Sequence, residues 1–259
     1  DGNDALDGGS GSDTAGYVGA LAGAYTVTRA GTSYTVVDPV GTEGMDTLTA
    51  VERLLFTDFA VNLTVQDAAA GIARADLDRL EELYVAFFNR TPDADGLEYW
   101  IGQFKGGMTI NEIAESFYTA GVFFSDLTGY LPGMTNADFV RVVYKNVLRR
   151  EDVTDPTYID GVNYWAGELD AGRESRGSLV STILDSAHSF KGDATWGWVA
   201  DLLDNKIAVA DTFAVNWGLN YLTAQESIAQ GMAIAAAVTP EGTDAAIALI
   251  GVEPGQIEL

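Results

Sequence analysis

The sequence predicts an α+β protein that is predominantly α-helical, with a short β-roll or β-hairpin element followed by an α-helical repeat domain. Three observations support this class. A glycine- and aspartate-rich repeat opens the chain, short runs of β-branched and aromatic residues follow it, and helical periodicity replaces them after residue 64. We therefore expect a β element over residues 1–66 and a helical domain over residues 67–259.

Acidic residues far outnumber basic ones: 38 Asp and Glu stand against 14 Lys and Arg, for a formal net charge of −24. Such a charge repels phosphate groups, so we expect neither a nucleic-acid partner nor an anionic membrane partner. It attracts divalent cations, or it serves only to keep the protein in solution. No apolar run approaches the roughly 20 residues of a transmembrane helix.

The chain contains no cysteine, which excludes disulfide bonds, thiolate zinc sites and thiol nucleophiles. A protein outside the cell then needs another means of stabilisation, and bound metal ions are the expected substitute. The first residues show no basic and apolar leader. Because the chain begins inside a repeat pattern, we expect its natural N-terminus to lie further upstream.

The glycine-rich stretch from Asp1 to Gly16 contains Asp4 and Asp13, nine residues apart in similar surroundings. A nine-residue period is typical of the calcium-binding parallel β-roll. Glycines permit its tight turns, and carboxylates offer the oxygen ligands that calcium prefers. The alternative interpretation of this stretch is a flexible linker.

This stretch resembles the glycine- and aspartate-rich RTX repeats of type I secreted proteins, over about two copies. The resemblance implies calcium ions shared between turns on the same side of a roll, and export without an N-terminal signal. Asp4 and Asp13 each lack a partner turn if further repeats precede this segment. The candidate calcium ligands that follow from the resemblance are Asp1, Asn3, Asp4, Gly9, Gly11 and Asp13.

The next segment predicts a β-hairpin. β-Branched and aromatic residues alternate over residues 24–29 and 34–37, and a short polar turn at 31–33 separates the two runs. We therefore expect two antiparallel strands directly after the repeat.

The stretch Val51–Phe56 resembles the strand that closes the roll after RTX repeats. This resemblance makes Asp38, Asp46 and Glu52 further candidate calcium ligands. Alternatively, Asp38 begins a turn with Pro39, and Asp46 caps a loop. The residues alone leave both interpretations open.

Helical patterns dominate the second part of the chain. Apolar residues spaced three and four apart form one stripe over residues 77–88. The other predicted helix boundaries are the capping boxes Thr109–Glu112 and Thr223–Glu226, and a last helix that begins at Thr239-Pro240 and ends at Gly251.

Two stretches of the helical part match each other, over residues 77–125 and 137–190. Each has a tyrosine in a helix, an arginine just after it, an Asp-Gly pair and a Tyr-Trp pair. The tyrosines lie 60 residues apart and the tryptophans 65 apart, because the second copy has a longer acidic loop. We expect each copy to form a helix, an Asp-Gly loop, a short Tyr-Trp helix and another helix.

The stretch Asn89–Trp100 resembles the signature of a helical domain family of unknown function that is common in bacterial S-layer, adhesin and type I secreted proteins. The similarity spans residues 77–190, with a trailing helical stretch at 203–213. It implies an extracellular or cell-surface location. The second copy departs from the signature, because the acidic loop Glu151–Asp160 replaces its Thr-Pro-Asp.

Tryptophans are the candidates for a ligand platform, because aromatic rings stack on sugars. The residues concerned are Trp100, Trp165, Trp196 and Trp198. The alternative is that these side chains lie at helix junctions and serve packing only.

The sequence offers no recognisable catalytic constellation. His188 is the single histidine, and the sequence has neither a Gly-x-Ser-x-Gly elbow nor a phosphate-binding loop. A glycosidase-type carboxylate pair has no specificity as a signal among 38 acidic residues. We therefore expect no enzymatic activity.

These patterns together predict a calcium-stabilised, non-catalytic module of a type I secreted extracellular or cell-surface protein that serves surface attachment, S-layer or matrix structure. The expected cofactor is calcium. Expected partners are calcium ions, a surface polysaccharide or neighbouring copies of the same protein. The alternative is a glycan-binding module of a polysaccharide-active or adhesive protein.

Overall fold

The computed structural model of the protein describes residues 2–17, 21–41 and 44–259. Over these ranges, nine strands form two mixed sheets, ordered β1-β5-β4-β3-β9 and β2-β6-β7-β8. The strands are β1 (Ala5–Asp7), β2 (Thr14–Gly16), β3 (Thr26–Ala30), β4 (Ser33–Val37), β5 (Met45–Thr49), β6 (Arg53–Leu55), β7 (Phe59–Asn62), β8 (Leu219–Tyr221) and β9 (Ile257–Glu258). Each sheet therefore takes its last strand from the C-terminal part of the chain.

The first strands form a stacked arrangement. β1 pairs in parallel with β5 in one sheet, and β2 pairs in parallel with β6 in the other. Residues 5–16, here called the first coil, therefore stack on residues 45–55, the second coil. The nine-residue offset from β1 to β2 equals the spacing of the sequence repeat.

A glycine is required where the first coil turns. A Cβ atom at Gly8 would lie 2.0 Å from the carbonyl oxygen of Ala50, which belongs to the turn of the second coil. The Gly8 N–H donates to the carbonyl oxygen of Thr49 at 3.0 Å. Any larger residue at this position would push the two turns apart.

β3 and β4 confirm the predicted hairpin. Ala30 lies opposite Ser33, which leaves Gly31 and Thr32 as a two-residue turn. Gly31 has a φ of 68°, in the left-handed region that glycine adopts without strain. Val36 of β4 is buried in the core.

The remainder of the chain is mainly helical, which confirms the predicted class, α+β and predominantly α. The helices are α1 (Val65–Ala70), α2 (Arg74–Phe88), α3 (Ala94–Lys105), α4 (Ile110–Phe123), α5 (Ser125–Thr128), α6 (Asn136–Leu148), α7 (Pro156–Asp170), α8 (Arg176–Ser189), α9 (Gly197–Ala210), α10 (Ala224–Ala237) and α11 (Asp244–Ile250). A π-helical segment, Asp211–Asn216, continues α9.

The predicted start of the last helix is wrong. Thr239 and Gly242 form an isolated β-bridge, and α11 begins only at Asp244. The Asn205 side chain donates to the carbonyl oxygen of Thr239 at 2.8 Å and fixes this turn. Gly251 ends the helix as predicted, with a φ of 79°.

Equivalent helices of the two repeats pack against each other. α2 and α6 contact each other, and so do α4 and α8. The residues that directly follow α2 and α6, Asn89 and Arg149, both adopt left-handed φ values, 46° and 48°. α4 begins with the predicted capping box, in which Thr109 and Glu112 exchange both bonds.

One hydrophobic core runs through both sheets and the helices. Leu54 of β6 and Leu80 of α2 are both fully buried in it. The Asn62 side chain donates to Asp95 at 2.9 Å and to Glu98 at 2.7 Å, and these bonds join β7 to α3. Among the described residues, no helix has the length and apolar character needed to cross a membrane.

Candidate functional site

Asp13 and Glu52 meet where the turns of the two coils stack. The Asp13 N–H donates to Glu52 Oε2 at 2.8 Å, and the Asp13 carbonyl oxygen accepts from the Glu52 N–H at 3.1 Å. The carboxylate oxygen Oδ2 of Asp13 is buried and has no hydrogen-bond partner among the described residues. A buried carboxylate oxygen without a donor is costly, so Asp13 Oδ2 suits an oxygen-preferring cation.

Asp46 stands at the other end of the coils. One of its carboxylate oxygens accepts from the Asp4 N–H at 2.9 Å, and the other accepts from the Tyr17 hydroxyl at 3.1 Å. The Asn3 side-chain oxygen accepts from the Met45 N–H at 2.8 Å. Asn3 and Asp46 therefore fasten the start of the first coil to β5 through hydrogen bonds.

Asp38 forms a turn. Its carboxylate accepts from the N–H groups of Val40, at 3.2 Å, and Gly41, at 2.7 Å. Gly9 and Gly11 have positive φ values, 81° and 130°, as a tight turn requires. Both glycines lie in the turn between β1 and β2, and Asp13 is the last residue of that turn.

The structure therefore divides the predicted calcium ligands into three places. Asn3, Asp4 and Asp46 lie at the start of the coils, Gly9, Gly11, Asp13 and Glu52 lie at the stacked turns, and Asp38 lies in its own turn. Asp1 lies outside the described residues. Among residues 2–17, 21–41 and 44–259, no three acidic or histidine side chains are grouped as a metal site.

Tyrosine and tryptophan of the repeat signature contact each other in both copies. Trp100 lies beside the Tyr84 hydroxyl, and Trp165 beside the Tyr144 hydroxyl, close enough to lower the pKa of each hydroxyl. The indole N–H is the group that can donate, since tryptophan has no acceptor. Burial raises the pKa of both tyrosines. The first role of these tryptophans is thus to join α3 to α2 and α7 to α6.

The signature arginines link consecutive helices. Arg90 forms an ion pair with Asp93 at 3.2 Å, and Arg150 with Asp155 at 2.7 Å. Each aspartate stands directly before the next helix, α3 or α7. The Arg150 guanidinium also lies 5.1 Å from the centre of the Trp196 ring, in cation–π contact.

A cavity of about 320 Å³ lies in the second repeat, where α6, α7, α8 and α9 meet. It brings together Trp165 and Trp196, two of the four predicted platform residues. Trp100 instead packs in the first repeat against Phe117, with ring centres 5.3 Å apart. Trp198 is partly buried against the core. The four tryptophans therefore do not form a single platform.

Sequence reasoning missed Glu81, a buried carboxyl group in α2. Its side chain is 0% exposed, and neither oxygen has a hydrogen-bond partner in the described part of the chain. Arg74 Nη2 is 3.7 Å away, too far for a hydrogen bond. Burial and the nearby Asp211 charge raise the pKa of Glu81 well above its usual range. The signal in the sequence was an acidic pair inside the apolar run at 80–88.

Lys206 of α9 is a second buried ionisable group that the sequence analysis did not single out. Its ammonium group donates to the Asn89 side chain and, at 3.3 Å, to the carbonyl oxygen of Asn146. Burial first, and then the Arg149 charge, lower the pKa of Lys206 to about 7. This lysine therefore stands between the C-terminal ends of α2 and α6.

His188 is hydrogen-bonded to Glu82 on α2, and its other ring nitrogen lies 3.7 Å from Asp204. The bond to Glu82 raises the pKa of His188. The histidine thus connects α8 to α2. Its contacts with Glu82 and Asp204 give it a structural role.

The repeats are also the part of the chain that is similar to a known protein family. Residues 73–124 and residues 114–191 each match the model of a family described as a domain of unknown function, DUF4214. No curated protein and no solved structure matches the chain. From α2 to the end of α8, the chain is therefore similar to a helical domain of unknown function.

Proposed function

We propose that the chain is a calcium-stabilised, non-catalytic module of an extracellular or cell-surface protein that is exported by type I secretion and serves attachment, S-layer or matrix structure. One observation carries this proposal above all. Asp13 Oδ2 is buried at the stacked turns of the two coils without a hydrogen-bond partner among the described residues.

The residues at the stacked turns suit calcium. Asp13 and Glu52 supply carboxylates, and the glycine-rich turn with Gly9 and Gly11 supplies backbone carbonyl groups. Calcium bound there would supply positive charge to the two carboxylates and so link the two coils. These residues themselves shape the turn in which Asp13 Oδ2 is buried.

The net charge of −24 gives calcium a thermodynamic role. Without a cation, carboxylates that converge in the folded state repel one another, which favours the unfolded chain. An ion that binds only the folded state stabilises it by an amount that grows with its concentration. Calcium outside the cell would then promote folding after export.

The repeat signature supports a structural role. Tyr144 lies against Trp165, and Arg150 pairs with Asp155, the residue that precedes α7. Each of these side chains is used in joining neighbouring helices. The proposal therefore assigns the helical domain to presentation and spacing, and it includes no catalytic step.

Thermal unfolding followed by circular dichroism, with excess calcium and with a chelator, tests this proposal. We expect calcium to raise the melting temperature and to protect the amides of residues 5–16 and 45–55 from hydrogen exchange. Asp13→Asn should abolish most of the calcium-dependent rise. Asp126→Asn, which removes the same charge from an exposed site in α5, should retain it. A melting temperature independent of calcium, with no heat of binding, would refute the calcium role.

A further inference from the structure

The two repeats differ in how they fill the space beside the signature tryptophan. α2 and α6 end at equivalent residues, so Phe88 corresponds to Leu148. α4 and α8 begin at equivalent caps, so Phe117 corresponds to Ile183. At both positions the first repeat has an aromatic ring where the second has a smaller aliphatic side chain.

In the first repeat these rings fill the space. The Phe117 ring lies 4.8 Å from the Tyr84 ring, 5.3 Å from the Trp100 ring and 5.5 Å from the Phe88 ring, centre to centre. The equivalent cavity, lined by Phe88 and Arg90, measures about 80 Å³. A separate pocket of about 300 Å³ lies between Arg90 and residues 220–228. The scaffold therefore folds with the space beside Trp100 filled.

In the second repeat the corresponding cavity measures about 320 Å³. Open volume inside a domain reduces stability, because its lining atoms lose packing partners. The fold does not demand this volume, since the first repeat closes it. The volume also lies within the range of small-ligand pockets, roughly 300–1,000 Å³.

The lining combines ring faces with polar groups. Tyr144, Trp165 and Trp196 line the cavity, and the last of these is held in place by Arg150. The Thr157 hydroxyl and the Arg150 guanidinium supply polar atoms from the α7 side, bonded to each other at 2.6 Å. Ser186 of α8 adds an exposed hydroxyl at the rim.

The charges favour a neutral ligand. The cation in the lining, Arg150, is already paired with Asp155 at 2.7 Å. The chain as a whole carries a formal charge of −24, which repels carboxylates and phosphates. A ligand with an apolar ring face and several hydroxyl groups matches both the aromatic and the polar parts of the lining.

We infer that this cavity is a binding site for a neutral sugar residue, whose ring face packs on Trp165 or Trp196 and whose hydroxyl groups bond Arg150, Thr157 and Ser186. The site belongs to the second repeat alone. The cavity has no residue of the stacked coils in its lining.

Calorimetric titration with glucose, galactose, mannose, N-acetylglucosamine and their short oligomers tests the inference, with tryptophan fluorescence as a second signal. At least one of these sugars should bind the wild-type protein. Ile183→Phe introduces the side chain that the first repeat has and should weaken binding by about tenfold or more while the protein stays folded. Leu148→Phe should act in the same direction.

Phe117→Ile, the reverse change in the first repeat, is the matched control and should leave the sugar affinity unchanged. At a temperature where the protein stays folded without calcium, the affinity should be the same with calcium and with a chelator. Three results would overturn the inference: none of the sugars binds at millimolar concentration, Ile183→Phe binds as tightly as wild type, or glucuronic acid binds more tightly than glucose. Loss of binding on chelation, in a protein that circular dichroism shows to be still folded, would likewise place the sugar site elsewhere.

Discussion

Gly161 lies so close to the Tyr144 hydroxyl that a Cβ atom at position 161 would be 2.7 Å from that oxygen. Gly96 has the same relation to Tyr84, at 2.8 Å. The predicted Asp-Gly loop is wrong, because both glycines lie within helices, α3 and α7. Glycine inside a helix is less stable than alanine by about 1 kcal/mol. Close approach of the tyrosine therefore explains the Asp-Gly pair in each repeat.

Gly161→Ala should lower the free energy of unfolding by about 1–3 kcal/mol, because the added methyl group forces the buried tyrosine to move. Gly167→Ala is the control in the same helix, since a Cβ there meets nothing within 4 Å. It should raise the free energy of unfolding by about 0.5–1 kcal/mol. Urea denaturation measures both. Equal stabilisation by the two changes would show that the tyrosine shifts without cost.

Glu81→Gln should stabilise the protein at neutral pH. Because the pKa of Glu81 is raised in the folded state, its carboxyl group destabilises the fold once the pH exceeds its value in the unfolded chain, about 4.3. We expect a gain of about 1–3 kcal/mol at pH 7 and almost none at pH 4.

The neighbouring Glu82 provides the control for this experiment. It pairs with Arg79 at 2.9 Å and with His188, so Glu82→Gln should destabilise the protein at pH 7. Chemical denaturation at both pH values measures the effects. If Glu81→Gln and Glu82→Gln destabilise equally at pH 7, Glu81 is ionised and paired in the folded protein.

The stability that His188 contributes should depend on pH. Its pKa is raised in the folded state, so the contribution is complete below the unfolded value, about 6.5, and is lost as the pH rises through the folded value. We expect about 1 kcal/mol, absent in His188→Gln. As the single histidine, it gives an isolated imidazole signal in NMR titrations. A measured pKa at or below 6.5 would contradict this prediction.

Lys206 should give a pH dependence of the opposite sign. Its pKa is about 7 in the folded protein and about 10.5 in the unfolded chain, so between these values the unfolded chain binds more protons. Wild-type stability relative to Lys206→Met should therefore rise by about 1–4 kcal/mol from pH 7 to pH 10. Measuring both proteins across this range cancels the repulsion among the acidic residues. Parallel pH profiles would mean that Lys206 titrates normally.

Local patterns explain which parts of the fold could be predicted. The hairpin, the capping box at Thr109 and the two repeats rest on short-range periodicity and on side chains that bond their own backbone. The prediction of where α11 starts was wrong, because Thr239-Pro240 matches the pattern of a helix start. In the structure, a hydrogen bond from Asn205, which is distant in sequence, fixes a turn there.

Other features depend on contacts that no local pattern encodes. β8 and β9 have three and two residues, too short to show an alternation. The cavity could have been anticipated by comparing the repeats, since Leu148 and Ile183 replace Phe88 and Phe117. The separation of Trp100 from Trp196 could not have been anticipated, because it depends on how the helices of the two repeats pack.

The pairing of β9 with β3 and of β8 with β7 has a consequence for synthesis. A chain that emerges from the ribosome N-terminus first leaves one edge of each sheet open until residues 219–258 appear, which is long after the hairpin itself has been made. Open edges of this kind favour pairing with other chains. The sheets can be completed only after residues 219–258 have been made, and sequence-distant pairing of this kind makes folding slow.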